Sequence, residues 1–119
     1  DVFRGGYYMV GCDYFRAIPS ITHPNAGYRG LFPRPSAPLL DMAKKHGRYV
    51  LLTGETDGNR DQTLANYRHG YLKDGFSHVT YIEVPQMGHC SPDAAWFEKG
   101  LEALDTPTDS PSAPSVRRR

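Results

Sequence analysis

Residues Arg48 to Pro92, RYVLLTGETDGNRDQTLANYRHGYLKDGFSHVTYIEVPQMGHCSP, constrain the fold more than any other stretch of the chain. Tyr49-Val50-Leu51-Leu52-Thr53 is an unbroken apolar run, the pattern of a strand covered on both faces in a parallel sheet. Gly54 to Asn59 reads as a turn. From Asp61 to Asp74, Leu64, Tyr67, Tyr71 and Leu72 fall at helical spacing, with Gly75 ending the helix. Val79 to Val84 alternates and is rich in β-branched residues, so it predicts a second strand. Each strand then runs into a residue able to do acid/base work: Asp57 after the first, His89 after the second. If the strands are parallel, both side chains reach one edge of one sheet.

The flanking segments extend this pattern. Tyr7-Tyr8-Met9-Val10 is a short apolar strand between glycines, and Gly11-Cys12-Asp13 turns off its end. Between Tyr14 and Pro35 the periodicity dissolves, and four prolines with Gly27 and Gly30 argue against a regular element. A loop this long is a functional excursion or a linker, and Tyr14, Phe15, Tyr28 and Phe32 among its residues predict a packed rim. Pro38 to His46 predicts a helix with Ser36 or Ala37 at its N-cap and Gly47 as a left-handed C-terminal residue. Ser91 is expected to cap, and Pro92 to start, a last helix with Trp96, Phe97, Leu101 and Leu104 on its apolar side. Residues 106–119, Pro/Ser-rich and ending in Arg117-Arg118-Arg119, read as a disordered tail.

Strands alternating with helices predict an α/β unit with a parallel sheet of about three strands and flanking helices. Such a sheet is narrow and leaves two edges unprotected, so residues 1–105 are expected to belong to something wider. Fourteen basic against thirteen acidic residues give no broad attraction to nucleic acid, and no apolar run approaches the ~20 residues that span a bilayer. Neither kind of partner is expected. Cys12 and Cys90 form no CxxC and read as two separate reduced thiols. No cofactor is implied, and nothing fixes a compartment.

A carboxylate accepting from one imidazole nitrogen fixes the tautomer and frees the other nitrogen to take a proton. Asp57, four residues past Thr53, and His89, five past Val84, are the candidate catalytic residues on that ground. Acidic residues are also common in Gly-rich turns, where they bond their own backbone, and Glu55 and Asp61 compete with Asp57. His23, His46, His69 and His78 are expected to be solvated. A cysteine nucleophile fits poorly, because Cys12 lacks a glycine two residues on and Cys90 adjoins His89. Asp57, His89 and Cys90 lack the spacing of a metal site.

Taken together, LLTGETD, a helix, VTYIEVPQMGH and a C-terminal helix resemble the last third of the α/β-hydrolase fold, in particular bacterial esterase- and peptidase-like serine hydrolases. The resemblance covers residues 1–105, with the segment from Phe3 to Asp13 similar to the strand that follows the nucleophile helix. It implies that Gly54-Glu55-Thr56-Asp57 carries the triad acid and Gly88-His89 the triad histidine, in the order nucleophile, acid, histidine. It implies an ester or amide substrate, with the 14–35 excursion on its rim. The departure is the nucleophile: no serine stands in a G-x-S-x-G elbow, and the oxyanion donors would also lie upstream. The chain alone is therefore expected to be inactive, its partner being the N-terminal portion of the same protein or a complementary chain. The alternative expectation is a non-catalytic α/β module that binds through the aromatic 14–35 loop.

Overall fold

The computed structural model describes residues 5–23 and 25–105. Phe3 and the tail 106–119 lie outside them. Three strands, β1 (Gly5–Met9), β4 (Arg48–Gly54) and β5 (His78–Val84), form one parallel sheet in the order β1-β4-β5. The register aligns Tyr7 with Val50 and Val50 with Thr80. The central strand carries the apolar run, and its Leu51 and Leu52 are fully buried. Each such side chain contributes about 1.5–3 kcal/mol relative to exposure. The mixed α/β architecture with three parallel strands agrees with the reading of the sequence.

The strands' alternation divides the core. Tyr49, Leu51 and Tyr81 face helix α1 (Ala37–His46), helix α2 (Arg60–Ala65) and the 14–35 loop, with Leu40, Leu64, Tyr67, Tyr71, Tyr14 and Ile18 completing that layer. Val50, Leu52, Ile82 and Val84 face the C-terminal helix α3 (Ala94–Asp105), which contributes Trp96, Ala103 and Leu104. Both crossovers, β1 to β4 and β4 to β5, thus run over the same face.

Four expectations are corrected. The 14–35 segment is not wholly irregular: Ile18–Pro19 (β2) and Gly27–Tyr28 (β3) pair antiparallel. Proline is tolerated in so short an edge pairing because it need donate nothing there. The second helix is not α-helical throughout, since α2 gives way to a π-helical turn over Asn66–Leu72. The wider turn shifts the helical face, so Tyr71 stays buried while Leu72 swings out to 47% exposure. Gly47 sits at φ −70°, an extended conformation, so its value is space: a Cβ there would lie 2.7 Å from the Ala43 carbonyl oxygen and from the Tyr49 ring. Finally, Asp93 rather than Ser91 caps α3, its Oδ1 accepting from the Trp96 N–H at 2.9 Å. Phe97 and Leu101 of that helix remain more than a third exposed.

Two carboxylates pin the 14–35 loop to the helical layer. Asp74 accepts from the Tyr14 hydroxyl at 2.6 Å and from Arg16 through both oxygens, at 3.1 and 2.9 Å. Asp61 accepts from the Ser20 hydroxyl, the Ile21 and Thr22 backbone N–H groups and the Tyr28 hydroxyl. Burial alone would raise the Asp61 carboxyl, but the Tyr28, Ser20 and Thr22 hydrogen bonds outweigh it and hold it at about 2. The same balance, with Arg16 and Tyr14 as the stabilising partners, lowers Asp74. The expected rim is thus packed and tied down.

Candidate functional site

The site is built where β4 and β5 end side by side. The Glu55 N–H donates to the Val84 carbonyl at 2.9 Å and the Thr56 N–H to the Met87 carbonyl at 3.0 Å, which stitches the two loops together as the strands part. The Thr56 hydroxyl repeats the link to Met87 at 3.0 Å. Glu55 Oε1 accepts from the Gln86 N–H at 2.7 Å, and Gln86 stands at φ 62°. That left-handed residue reverses the chain after Pro85. Gly54 permits the closest approach: a Cβ on it would lie 2.1 Å from the Met87 carbonyl oxygen.

With the loops joined, the Asp57 carboxylate and the His89 ring meet. His89 Nδ1 lies 3.0 Å from Asp57 Oδ1. The side chain of Asp57 has no exposed surface, whereas that of His89 is 63% exposed. An ionised carboxylate can only accept, so a neutral imidazole paired with one carries its proton on Nδ1 and its lone pair on Nε2. The carboxylate is held from two further sides. The Asn59 N–H donates to Oδ1 at 3.0 Å, and the Thr53 hydroxyl donates to Oδ2 at 3.3 Å. A buried carboxylate needs such partners, because an unpaired one would pay a large desolvation penalty.

The structure therefore brings the two sequence-predicted site residues together and separates their competitors from them. Glu55 serves the Gln86 backbone and Asp61 the 14–35 loop. Of the cysteines, Cys12 is buried, and burial foremost pushes its thiol up to about 12, which leaves no thiolate for nucleophilic work at neutral pH. Cys90 is exposed beside His89, its N–H donating to the Gly88 carbonyl at 3.0 Å. Among the described residues no group of three or more His, Cys, Asp and Glu is placed to hold a metal ion.

Sequence reasoning missed the supporting residues. Thr53 closes an otherwise apolar strand run, and that break in pattern was the available signal. Asn59 donates from Nδ2 to the Val10 carbonyl at 2.9 Å, and the buried Asn66 does the same for Cys12 at 2.7 Å. These two amides tie the turn after β1, where Val10 stands at φ 52°, to the helix that follows Asp57. Beside them a cleft of about 400 Å³ is lined by Tyr8, Gly11, Cys12, Asp13, Phe32, Asn59 and Gln62. No helix among the described residues is long and apolar enough to cross a membrane. No family model, curated protein or solved structure matches the chain.

Proposed function

We propose that this chain supplies the acid and base of a Ser-His-Asp hydrolase acting on an ester or amide bond, as the C-terminal part of an α/β-hydrolase fold. One observation carries the reading: a fully buried carboxylate, fixed by Thr53 and Asn59, holds Nδ1 of a solvent-facing imidazole at 3.0 Å. In that role His89 takes the proton of an attacking serine hydroxyl through Nε2 and later returns it to the leaving group, while Asp57 keeps the tautomer and steadies the imidazolium. The serine and the oxyanion donors come from a preceding segment or a complementary chain, since no serine of this sequence stands in a nucleophile elbow. The order of elements supports the same reading: a strand, a G-x-x-D turn, a helix, a strand, a G-H turn and a helix.

A serine-directed fluorophosphonate tests it. The full-length gene product is expected to be labelled, and His89→Ala to abolish the labelling; the 119-residue chain alone is expected to stay unlabelled. A full-length product that never reacts, although folded, would overturn the assignment. A second reading is favoured by a separate feature, an apolar groove of about 850 Å³ that includes Tyr14, Phe15 and Phe32 of the 14–35 loop. There the chain is a binding module without catalysis, and Asp57 with His89 is a structural pair.

A further inference from the structure

The hydroxyls of the buried tyrosines are not equally provided for. Tyr14 donates to Asp74 and Tyr81 to Glu83, each at 2.6 Å, and Tyr71 shares a hydrogen bond with Tyr8. The Tyr49 hydroxyl has no hydrogen-bond partner among the described residues, although the residue is only 5% exposed. A buried hydroxyl left unbonded is costly and uncommon, so it asks for an explanation. Tyr49 belongs to the lining of the groove of about 850 Å³, where Tyr71 and Phe76 lie 5.3 and 5.6 Å from it between ring centres. A Cβ on Gly47 would stand 2.7 Å from the Tyr49 hydroxyl oxygen. Gly47 and His46 also line the groove, so the unbonded hydroxyl lies at its His46 end.

The lining says what would satisfy that hydroxyl. A groove of this size falls within the range of small-molecule sites. Phe32, Leu39 and Met42 line it at 45%, 58% and 45% exposure, so rings and methyl groups stand ready to receive a flat apolar body. No acidic residue lines it, and Asp74, the acid bonded to Tyr14, is already matched by Arg16 at 2.9 Å. At one end, α1 finishes on Lys44, Lys45 and His46. Beside the 14–35 loop, the Arg34 guanidinium lies 5.2 Å over the ring of Phe15, another lining residue, and no carboxylate among the described residues pairs with it. Unneutralised cations around an acid-free apolar lining favour an anion. Burial, the largest cause, raises the Tyr49 phenol, which keeps it protonated as a donor to such an anion.

We infer that this groove binds a small aromatic carboxylate. The ring of the ligand lies against Tyr49, Tyr71 and Phe76, and its carboxylate accepts from the Tyr49 hydroxyl at the His46 end. The inference rests on the binding-module reading only in taking the groove as a ligand site. It holds whether or not Asp57 and His89 are catalytic.

The probe is 2-naphthoate, titrated into the 119-residue chain and into the full-length gene product, with 2-naphthylmethylamine as its cationic counterpart. Ring-current shifts are expected at the Leu39 and Met42 methyl signals, and naphthoate is expected to bind at least about tenfold more tightly than the amine. Tyr49→Phe should weaken naphthoate by roughly tenfold or more, the worth of one hydrogen bond to a charged acceptor. The same variant should keep its Tm or raise it, because the hydroxyl has no protein partner to lose. A lower Tm with unchanged affinity would make Tyr49 structural and overturn the inference. Equal binding of the amine, shifts confined to other residues, or no binding at millimolar naphthoate would overturn it too. So would binding to the 119-residue chain that the full-length product lacks, since protein would then cover the groove. Fluorophosphonate labelling separates the claims: naphthoate binding without labelling upholds the groove alone, and labelling without naphthoate binding upholds the hydrolase alone.

Discussion

Asp57 and Asp61 stand four residues apart, on the same turn and the helix it opens, and they do opposite things. Asp61 gathers two backbone N–H groups and two hydroxyls of the 14–35 loop, so its capacity goes entirely to holding the chain. Asp57 takes one backbone N–H and one hydroxyl, which steady it, and turns its remaining capacity to an imidazole that solvent can reach. Both carboxylates are well satisfied, so satisfaction alone does not mark a functional acid. What distinguishes Asp57 is that one of its partners is an imidazole whose side chain is 63% exposed.

The sharpest way to break this contrast is to remove each negative charge and compare what is lost. Under the hydrolase reading, Asp57→Asn in the full-length product is expected to lower kcat by roughly 10⁴-fold, because the amide can stabilise the wrong imidazole tautomer. Its melting temperature should fall only slightly, since the Asn59 and Thr53 contacts can persist. A loss of activity below about tenfold would remove Asp57 from the chemistry. Asp61→Ala is expected to cost about 2–3 kcal/mol of stability, from several hydrogen bonds to a charged acceptor, and to lower Tm by roughly 10–20 °C. A variant of Asp61 that melts like the parent would show that the loop is held by its aromatic residues instead.

Acid separates the two regions without mutation. Asp61 and Asp74 are both held below the ordinary carboxylate value of about 3.9, so the stability they add is complete above that pH and is lost as pH falls below it, for Asp61 towards about 2. Between about pH 4 and 2, NMR shifts of Ser20 to His23 are expected to move toward their unfolded positions, and Asp61→Asn should abolish most of the pH dependence there. An unchanged acid profile in that variant would assign the transition elsewhere. The smallest effect is expected from Thr53→Val, about 0.5–1.5 kcal/mol from one hydrogen bond. Its diagnostic is the downfield Nδ1 proton of His89, which should broaden as the carboxylate loosens and remain sharp if Thr53 only fills space.

The difference between the two acids was only half legible in the sequence. Periodicity fixed the strands and helices closely, because the apolar run at Tyr49 to Thr53 and the alternation at Val79 to Val84 are local signals. Parallel pairing follows from the alternation of strands with helices, so Asp57 and His89 could be put at one edge of the sheet from the sequence. The partner of Asp61 could not be seen. Its hydrogen bonds reach back some forty residues to a proline-rich segment whose own short pairing, Ile18 with Tyr28, is set by contact with the helical layer rather than by propensity. The π-helical turn escaped for a similar reason: nothing local distinguishes NYRHGYL from an α-helix, and Gly70 lies under the loop, where a Cβ would press on the Tyr14 ring at 3.2 Å. Ser91 looked like a cap by type, but Asp93 stands in register with the helix as formed.

Gly54 sets the distance between the Asp57 loop and the His89 loop. With hydrogen in place of a methyl group, the end of β4 can lie against the Met87 carbonyl, and only then does the second loop swing its imidazole over the carboxylate. A descendant that kept Asp57, Thr53, Asn59 and His89 but gained one carbon at position 54 would hold every one of these side chains and still fail to bring the carboxylate and the imidazole within hydrogen-bond reach. Divergence of this chain would accordingly be read first at a residue that takes no part in the carboxylate–imidazole hydrogen bond.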